Sequence, residues 1–195
     1  ALDDGRWVAQ AFCEGPLVSL EGFVCNSQVQ FLGFSGRKKV GLTESMINFP
    51  ADDQLTDSER TSCKKAAIDL VTKAGFRNGY FHIEFIVTAK GPFIIDANMG
   101  RLGGGSIGEQ LADSYGVSAV NVFAHVLQVT LFPNTPMEHP YPFEIQRAPT
   151  LGILYGMAKE GRLENIVIDQ ELSSRHTQIL DIDQLVPAMG LNNWS

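Results

Sequence analysis

The sequence predicts an α+β fold in which an antiparallel sheet is packed by helices. Two pairs of apolar, strand-like segments are each separated by a short polar turn, which is typical of antiparallel hairpins. A segment with the apolar period of a helix lies between the two pairs, where it can cover the sheet that the hairpins form. The four strands are expected at residues 17–25, 29–34, 80–88 and 93–98.

Turn signals mark the connections around the first hairpin. Residues 26–28 (Asn-Ser-Gln) are expected to reverse the chain. Residues 33–43 are polar, basic and contain glycine, so they predict a loop. A further short strand is expected at residues 7–12, because this apolar segment ends at a turn centred on Gly15.

The helix between the hairpins is the most clearly specified element. Thr56 and Glu59 have the spacing of a capping box, in which each side chain accepts a hydrogen bond from the backbone of the other residue. Gly75 is expected to end the helix in the left-handed conformation. The helix should therefore span residues 57–74 and place one face against the sheet. Its apolar stripe consists of Cys63, Ala66, Ala67, Leu70, Val71 and Ala74.

Two more helices and a proline-rich segment are expected after the second hairpin. Ser106 and Glu109 repeat the capping-box spacing and should open the second helix. The third should run over residues 117–131 and stop before Pro133. Residues 134–149 contain four prolines and predict an extended linker.

Composition and charge narrow the class of protein. The chain has 195 residues, of which 44% are hydrophobic, enough for a sizeable core. Its net charge of −7 disfavours nucleic acid or an anionic membrane as partner, and the basic run at residues 37–39 is too short to alter this. Cys13, Cys25 and Cys63 form no C-x-x-C motif and fit buried thiols in a reducing compartment. With no visible membrane-spanning run or signal peptide, a soluble cytoplasmic protein is expected.

Three oxygen-bearing side chains occupy the second hairpin: Glu84 in its first strand, and Asp96 and Asn98 in its second. Because side chains alternate along a strand, Asp96 should share a face with Ile94 and Asn98, and Glu84 with His82. Hard oxygens of this kind are the ligands that Mg²⁺ prefers. A solvated acidic face is the alternative, but the neighbouring residues are apolar, and carboxylates near a core usually need a partner. The hairpin therefore predicts a metal site.

The metal hypothesis requires a particular strand register. Glu84 faces Asp96 if Ala89, Lys90 and Gly91 form a three-residue turn, in which Gly91 supplies the left-handed position. A two-residue turn of Lys90 and Gly91 would place the two carboxylates on opposite faces. The turn chemistry and the metal hypothesis thus favour the same register.

An arginine and three glycines follow the second strand. Arg101 can stabilise charge on a transferring phosphoryl group. Gly103, Gly104 and Gly105 lead into the start of a predicted helix, where free backbone N–H groups can hold an anion. A flexible loop is the alternative for consecutive glycines. Of the histidines, His82 is expected near the site, and three are interpreted as packed or surface residues: His125, His139 and His176.

These segments resemble the ATP-grasp superfamily of carboxylate–amine (or thiol) ligases. The match consists of the strand HIEF, the strand IIDAN, an arginine, and LGGG before a helix. The resemblance implies that Glu84, Asp96 and Asn98 bind Mg²⁺ (or Mn²⁺) ions that bridge the phosphates of ATP. It also implies that Arg101 and the glycine loop stabilise an acyl phosphate and its tetrahedral adduct.

A second match is WVAQAFCEGPLVSLEGFV, which resembles the family's adenine hinge and following strand. It implies backbone contacts to the adenine edge, with Phe12 or Cys13 packing on the ring and Glu14 near the ribose. Glu21 would face the nucleotide or the substrate. The segment around Arg37 resembles a place where some members contact phosphate or the acyl substrate. The implied nucleotide-binding residues are Gln10, Ala11, Phe12, Cys13, Glu14 and Glu21.

The resemblance covers residues 7–131 and has two departures from the family pattern. Met99 and Gly100 both separate the asparagine from the arginine, where the pattern has one residue, and Asp96 replaces the commoner Glu. The family's N-terminal domain and the first half of its ATP-grasp unit have no counterpart. The chain is therefore expected to be the later part of a longer ligase.

The resemblance also implies a domain organisation. Residues 1–133 would be the C-terminal portion of an ATP-grasp domain, 134–149 a proline-rich linker, and 150–195 a small β-rich C-terminal lobe. Within this lobe, strands are expected at 151–155 and 166–168, with Gly161 and Asn165 flanking a hairpin turn region.

The implied function is an ATP-dependent ligase that joins a small carboxylic or amino acid to an amine through an acyl phosphate, releasing ADP and phosphate. Its partners would be ATP, the two substrates and, by analogy with relatives, a second copy in a homodimer. A carboxylase of the biotin-carboxylase type, acting through carboxyphosphate, is the alternative among enzymes. A nucleotide-binding module without catalysis is the alternative outside them.

Overall fold

The structure is a computed structural model that describes residues 11–40, 43–104, 106–135, 140–142, 144–145 and 150–153. The strands are β1 (Leu17–Cys25), β2 (Gln28–Val40), β3 (Thr43–Phe49), β4 (Gly79–Thr88), β5 (Gly91–Met99) and β6 (Thr150–Ile153). The helices are α1 (Asp57–Lys73), α2 (Ile107–Tyr115) and α3 (Ala119–Leu131), and a 3-10 turn lies at Asp52–Gln54. The strands form one sheet in the order β5-β4-β1-β2-β3-β6, and every described pair is antiparallel. The predicted α+β class is confirmed.

The first hairpin has the predicted first strand and a shorter turn than expected. Asn26 and Ser27 both adopt positive φ, 50° and 66°, as in the two-residue turns whose twist matches that of paired strands. Gln28 pairs with Cys25 and is the first residue of β2, so the three-residue reversal predicted at 26–28 is wrong by one residue.

The loop predicted at residues 33–43 is wrong, because β2 continues to Val40 and pairs with β3. Its glycines accommodate close packing: a Cβ on Gly36 would lie 2.4 Å from the Gln54 side chain and 2.7 Å from Asn48 Oδ1. Two of its polar residues, Ser35 and Arg37, belong to a buried polar cluster on the sheet. The polar residues and glycines of this segment were therefore wrongly interpreted as a loop, and strand β3 was not predicted.

Helix α1 follows the prediction closely. The Thr56 hydroxyl accepts a hydrogen bond from the Glu59 N–H at 3.3 Å, and Glu59 Oε2 accepts one from the Thr56 N–H at 2.8 Å. The helix ends at Lys73, one residue early, and Gly75 has a φ of 66° as expected. Its stripe packs against one face of the sheet in a core that includes Val18, Leu20, Phe34, Phe81, Ile83, Phe85 and Val87.

Helices α2 and α3 cover part of the opposite face. The core there contains Phe23, Leu32, Ile47, Phe49 and Tyr80 from the sheet and Ile107, Leu111, Val122 and Val129 from the helices. The Tyr115 hydroxyl donates to the Leu32 carbonyl at 2.6 Å. Leu32 is the extra residue of a bulge in β2, so α2 satisfies a carbonyl at an irregular point of the sheet.

The capping box predicted for α2 is wrong. Ser106 precedes the helix with a φ of 63°, in the left-handed region, and makes no side-chain capping bond. The hydroxyl of Ser118 instead caps α3 by accepting from the Val120 N–H at 3.2 Å. The third helix therefore begins two residues later than the predicted 117.

The β4–β5 hairpin combines two registers. Near the turn, Thr88 pairs with Gly91 and Phe85 with Ile94, so the loop consists of Ala89 and Lys90 alone and the predicted three-residue turn is wrong. A bulge then leaves Ile95 without a partner and restores the predicted pairing of Glu84 with Asp96. Consequently Ile94 lies on the α1 face with Phe85 and does not share a face with Asp96 as predicted.

The C-terminal part is described only in segments. Tyr141 is buried, with its hydroxyl 2.8 Å from that of Tyr80, although it lies in the predicted extended linker. Thr150–Ile153 pairs with β3 of the main sheet. The predicted boundaries at 133 and 150 stay predictions, and the strand and turn predicted at 161–168 lie outside the described residues, as do residues 7–10 of the first predicted strand.

The described part of the chain contains no helix that is both long and apolar enough to cross a membrane.

Candidate active site

Two polar rows cross the sheet on the face that carries α2 and α3. Residues directly opposite each other on neighbouring strands point to the same side. The first row is Asp96 (β5), Glu84 (β4), Ser19 (β1) and Ser35 (β2). The second row is Asn98 (β5), His82 (β4), Glu21 (β1) and Gly33 (β2). The three predicted metal ligands are thus on one surface, and they continue into a buried polar cluster.

Asp96, Asn98 and Arg101 are linked at the β5 side of this surface. Asn98 Nδ2 donates to Asp96 Oδ2 at 2.8 Å, and Arg101 Nη2 donates to Asn98 Oδ1. Gly100 has a φ of 91° and its N–H donates to the Tyr80 carbonyl at 2.7 Å. This glycine turns the chain so that Arg101 lies beside Asn98 despite the extra residue.

A cluster of buried polar side chains lies at the inner end of the site, next to Glu84. Glu21 and His82 are 0% and 1% exposed, and His82 Nδ1 donates to Glu21 Oε1 at 2.7 Å. The Ser35 hydroxyl donates to the same oxygen at 3.0 Å. On the other side of the ring, His82 Nε2 lies 3.2 Å from Glu84 Oε1. Sequence reasoning placed His82 near the site and missed Ser35, whose alternation with Arg37 was the available signal.

Arg37 is a strand residue of this cluster and does not lie in a basic loop as predicted. Its Nη2 is 3.2 Å from Glu84 Oε1 and 2.7 Å from His82 Nε2, and its side chain is only 8% exposed. Arg37 pairs with the Glu84 carboxylate, and this pairing explains why an arginine is buried here. A largely buried carboxylate without a partner would carry a large desolvation penalty.

The charge on His82 follows from these neighbours. Burial lowers the pKa of the ring, but its hydrogen bonds to Glu21 and Glu84 outweigh burial and the Arg37 charge, and raise the pKa to about 9. A neutral ring would accept from Arg37 through Nε2, whereas a protonated ring donates to both carboxylates. The ring lies between two carboxylates, Glu21 and Glu84, and one guanidinium, Arg37. The excess negative charge favours the protonated ring, with Arg37 bound to Glu84.

The glycine loop lies against the same ring. A Cβ added to Gly103 would meet His82 Nδ1 at 2.4 Å, so only glycine allows this approach. Gly104 has open space around its Cα, and Gly105 lies outside the described residues. Gly103 therefore stacks on the ring that contacts the Glu84 carboxylate.

The residues implied for the nucleotide lie in two settings. Residues 11–14 have no regular secondary structure, so the strand predicted at 7–12 does not include 11 and 12. Phe12 is 91% exposed, Cys13 is half-buried and Glu14 is exposed. Glu21 is buried against His82, and Gln10 lies outside the described residues. The segment ends beside β4, where the Val87 N–H donates to the Pro16 carbonyl at 3.0 Å.

The donor set at Glu84, Asp96 and Asn98 fits a hard divalent cation. Two carboxylates and one amide face the same side, and Asp96 is exposed, which leaves room for water and phosphate oxygens to complete the octahedral shell of Mg²⁺. Among the described residues, no group of three or more His, Cys, Asp or Glu side chains could hold a metal ion. A cation at this position would therefore also need the Asn98 amide oxygen, or oxygen ligands supplied by a bound substrate.

The fold of the chain matches part of the fold of ATP-grasp enzymes. It is similar to L-amino acid ligase from Bacillus licheniformis (22% identity, TM-score 0.66, 78% of this chain and 37% of that chain). It is also similar to phosphoribosylglycinamide synthetase from Anaerococcus prevotii (19% identity, TM-score 0.61, 79% of this chain and 38% of that chain).

A third similar structure is the biotin carboxylase domain of Hydrogenobacter thermophilus 2-oxoglutarate carboxylase, solved as a dimer with MgADP, ADP and bicarbonate. Its identity is 14% and its TM-score 0.51, over 70% of this chain and 28% of that chain. The chain thus spans 28–38% of the length of these three structures. No protein-family model matches the sequence, and no curated protein matches it.

Proposed function

We propose that the chain is the later part of an ATP-dependent ligase that joins a small carboxylic or amino acid to an amine. The observation that carries the proposal is the pairing of Glu84 with Asp96, beside Asn98 and Arg101, in a chain with the ATP-grasp fold. The broader class, ATP-dependent ligases and carboxylases, includes the enzymes named among its structural neighbours.

Glu84, Asp96 and Asn98 would hold Mg²⁺ (or Mn²⁺), which would neutralise the phosphate charges of bound ATP. The carboxylate oxygen of the acid attacks the γ-phosphorus, the bond from phosphorus to the β-phosphate oxygen breaks, and ADP leaves with that electron pair. Arg101 would stabilise the transferring phosphoryl group. Gly103 and its neighbours would hold the acyl phosphate through backbone N–H groups.

The second step forms the amide bond. The amine nitrogen attacks the acyl carbon, the bond from that carbon to the phosphate oxygen breaks, and phosphate leaves with the electron pair while the amine loses a proton to water. The site's contribution would be positioning and charge stabilisation, because none of these side chains needs to bond covalently to the substrate. Residues 11–14 would line the adenine, with Glu14 near the ribose.

The test is release of ADP and phosphate by the intact protein from Mg·ATP, with pooled amino acids and small carboxylates. Release that requires both an acid and an amine supports the ligase. AMP and pyrophosphate as products would exclude the acyl-phosphate route. ATP binding without turnover would favour a non-catalytic nucleotide-binding module.

A carboxylase acting through carboxyphosphate is the second candidate, because one structurally similar domain was solved with MgADP and bicarbonate. ADP release that depends on bicarbonate and not on an amine would favour it. We further propose a cytoplasmic location for either enzyme, since Cys13, Cys25 and Cys63 are all free thiols. Self-association into a homodimer is a separate proposal, which the mass of the intact protein in solution would test.

A further inference from the structure

We propose that Glu21 and His82 are positioning residues, which fix the orientation of the Glu84 carboxylate and seat the glycine loop. The inference rests on the proposed function, because it assigns these residues to the support of its cation and phosphate sites. Neither residue is exposed enough to touch a substrate, since Glu21 is 0% and His82 is 1% exposed.

The buried pair is a costly way to stabilise a core. Removing two charges from water carries a desolvation penalty that their attraction often fails to recover, and apolar replacements are frequently as stable. A buried Glu–His pair beneath a functional carboxylate is therefore better explained by orientation than by stability. The Ser35 hydroxyl adds a further hydrogen bond to Glu21 Oε1 and so restrains the pair from a third strand.

The ring of His82 lies next to three of the predicted site residues, Glu84, Arg37 and Gly103. Its Nε2 lies 3.2 Å from Glu84 Oε1 and 2.7 Å from Arg37 Nη2. Its Nδ1 would lie 2.4 Å from a Cβ on Gly103, so the backbone of the loop rests directly on the ring. A shift of this ring would move the carboxylate and the loop together.

Glu21 sets the direction of the ring. With Nδ1 bound to Glu21, Nε2 on the other side of the ring lies within reach of Glu84 and Arg37. Supporting groups of this kind, which orient a metal ligand without touching the metal, typically change metal affinity about 10–100-fold when they are removed.

The experiment measures Mn²⁺ affinity of the intact protein by electron paramagnetic resonance, in the presence of a non-hydrolysable ATP analogue. The variants are His82→Gln, whose side chain cannot bridge both carboxylates as the ring does, and Glu21→Leu, which keeps a side chain of similar size but has no acceptor for His82 Nδ1. The matched control is His125→Gln, which alters another buried histidine, one whose Nδ1 lies 2.6 Å from the Tyr80 hydroxyl. Thermal unfolding of each variant confirms that it is folded.

We expect His82→Gln and Glu21→Leu to weaken Mn²⁺ binding about 10–100-fold, and His125→Gln to change it less than about 3-fold. Wild-type affinity in folded His82→Gln and Glu21→Leu would overturn the positioning role and leave the proposed function standing. Failure of the wild-type protein to bind Mn²⁺ with the nucleotide would overturn the proposed function and this inference with it.

A measurement on the wild-type protein covers the case in which the variants do not fold. The ring nitrogens of His82, observed by ¹⁵N NMR, should shift when the Mg²⁺ complex of the ATP analogue binds, because their hydrogen-bond partner becomes a metal ligand. The nitrogens of His125 serve as the internal reference. An unchanged His82 spectrum at saturating ligand would contradict the positioning role.

Discussion

The ring of His82 restricts which residue can occupy the neighbouring position of the glycine loop. The glycine loop predicted from three consecutive glycines contains two that differ sharply in their surroundings. Gly103 is pressed against the ring, whereas a Cβ on Gly104 would meet no atom within 4 Å. The sequence motif does not distinguish these positions, but the packing does.

We therefore expect Gly103→Ala to lower the free energy of unfolding by about 1–3 kcal/mol, because the new methyl group must displace the ring or the loop. Gly104→Ala is the matched control and should stay within about 0.5 kcal/mol of wild type. Urea unfolding of both variants checks this. Equal effects of the two substitutions would show that Gly103 does not pack on His82.

The raised pKa of His82 predicts a pH dependence of stability. Its pKa rises from 6.5 to about 9 on folding, so the folded protein holds the proton more tightly than the unfolded chain. This contribution is fully present below pH 6.5 and is lost as the pH rises through about 9. The groups that face the ring are Glu21 from β1, Glu84 from β4 and Arg37 from β2.

Unfolding free energies measured from about pH 6 to about pH 10 should thus fall more steeply for wild type than for His82→Gln. Parallel curves for the two proteins would show that His82 does not change its proton affinity on folding.

At the scale of elements, the bulge in β5 links the hairpin turn to the site. Its extra residue, Ile95, reconciles a two-residue turn with the pairing of Glu84 and Asp96. Bulges of this kind increase local twist and redirect neighbouring side chains. They depend on the partner strand as well as on the bulged strand, so the sequence of β5 alone does not reveal one.

Deletion of Ile95 should leave Asp96 opposite Glu84, because the near-turn register then continues without interruption. Deletion of Ala97 is the matched control. It must move either Asp96 or Asn98 to the α1 face, since the two residues become adjacent in a strand. We expect Mn²⁺ affinity in the presence of an ATP analogue to change less than about 10-fold in the first variant and to be lost in the second. Equal loss in both would contradict this role of the bulge.

Some elements could be predicted from the sequence and others could not, for physical reasons. The limits of α1 were predictable because Thr56, Glu59 and Gly75 are local signals that act on their own helix. The pairing of Glu84 with Asp96 was also predicted, although by the wrong turn. The second half of β2 was missed because its polar residues Ser35 and Arg37 are buried by partners from other strands, and its pairing partner β3 was missed with it. The contact of Glu21 with His82 could not be predicted in this way, because it joins residues 61 positions apart.

At the scale of the whole molecule, a cluster of buried hydroxyl and imidazole groups ties the C-terminal segment to the sheet. The Tyr80 hydroxyl lies 2.6 Å from His125 Nδ1 in α3 and 2.8 Å from the Tyr141 hydroxyl. Burial raises the pKa of Tyr80 and of Tyr141, so both hydroxyls keep their protons at ordinary pH. Tyr80 is thus the common member of two hydrogen bonds that join distant parts of the chain.

Tyr80→Phe should lower the free energy of unfolding by about 1–3 kcal/mol, because His125 and Tyr141 each lose a buried partner. Tyr141→Phe removes only one of the two hydrogen bonds and should cost less. Chemical denaturation of the two variants provides the comparison. A larger loss for Tyr141→Phe would contradict the central place of Tyr80.

The position of the candidate site in the sheet has a consequence for local unfolding. Glu84 lies on β4, which has a neighbouring strand on both sides, whereas Asp96 and Asn98 lie on β5, an edge strand of the described sheet. Edge strands open at lower free energy than central ones, so the amide hydrogens of β5 should exchange with solvent sooner than those of β4. A ligand that binds only when both strands are paired must slow exchange in β5 by mass action. Occupancy of the site would then be visible as protection of one strand, even without turnover.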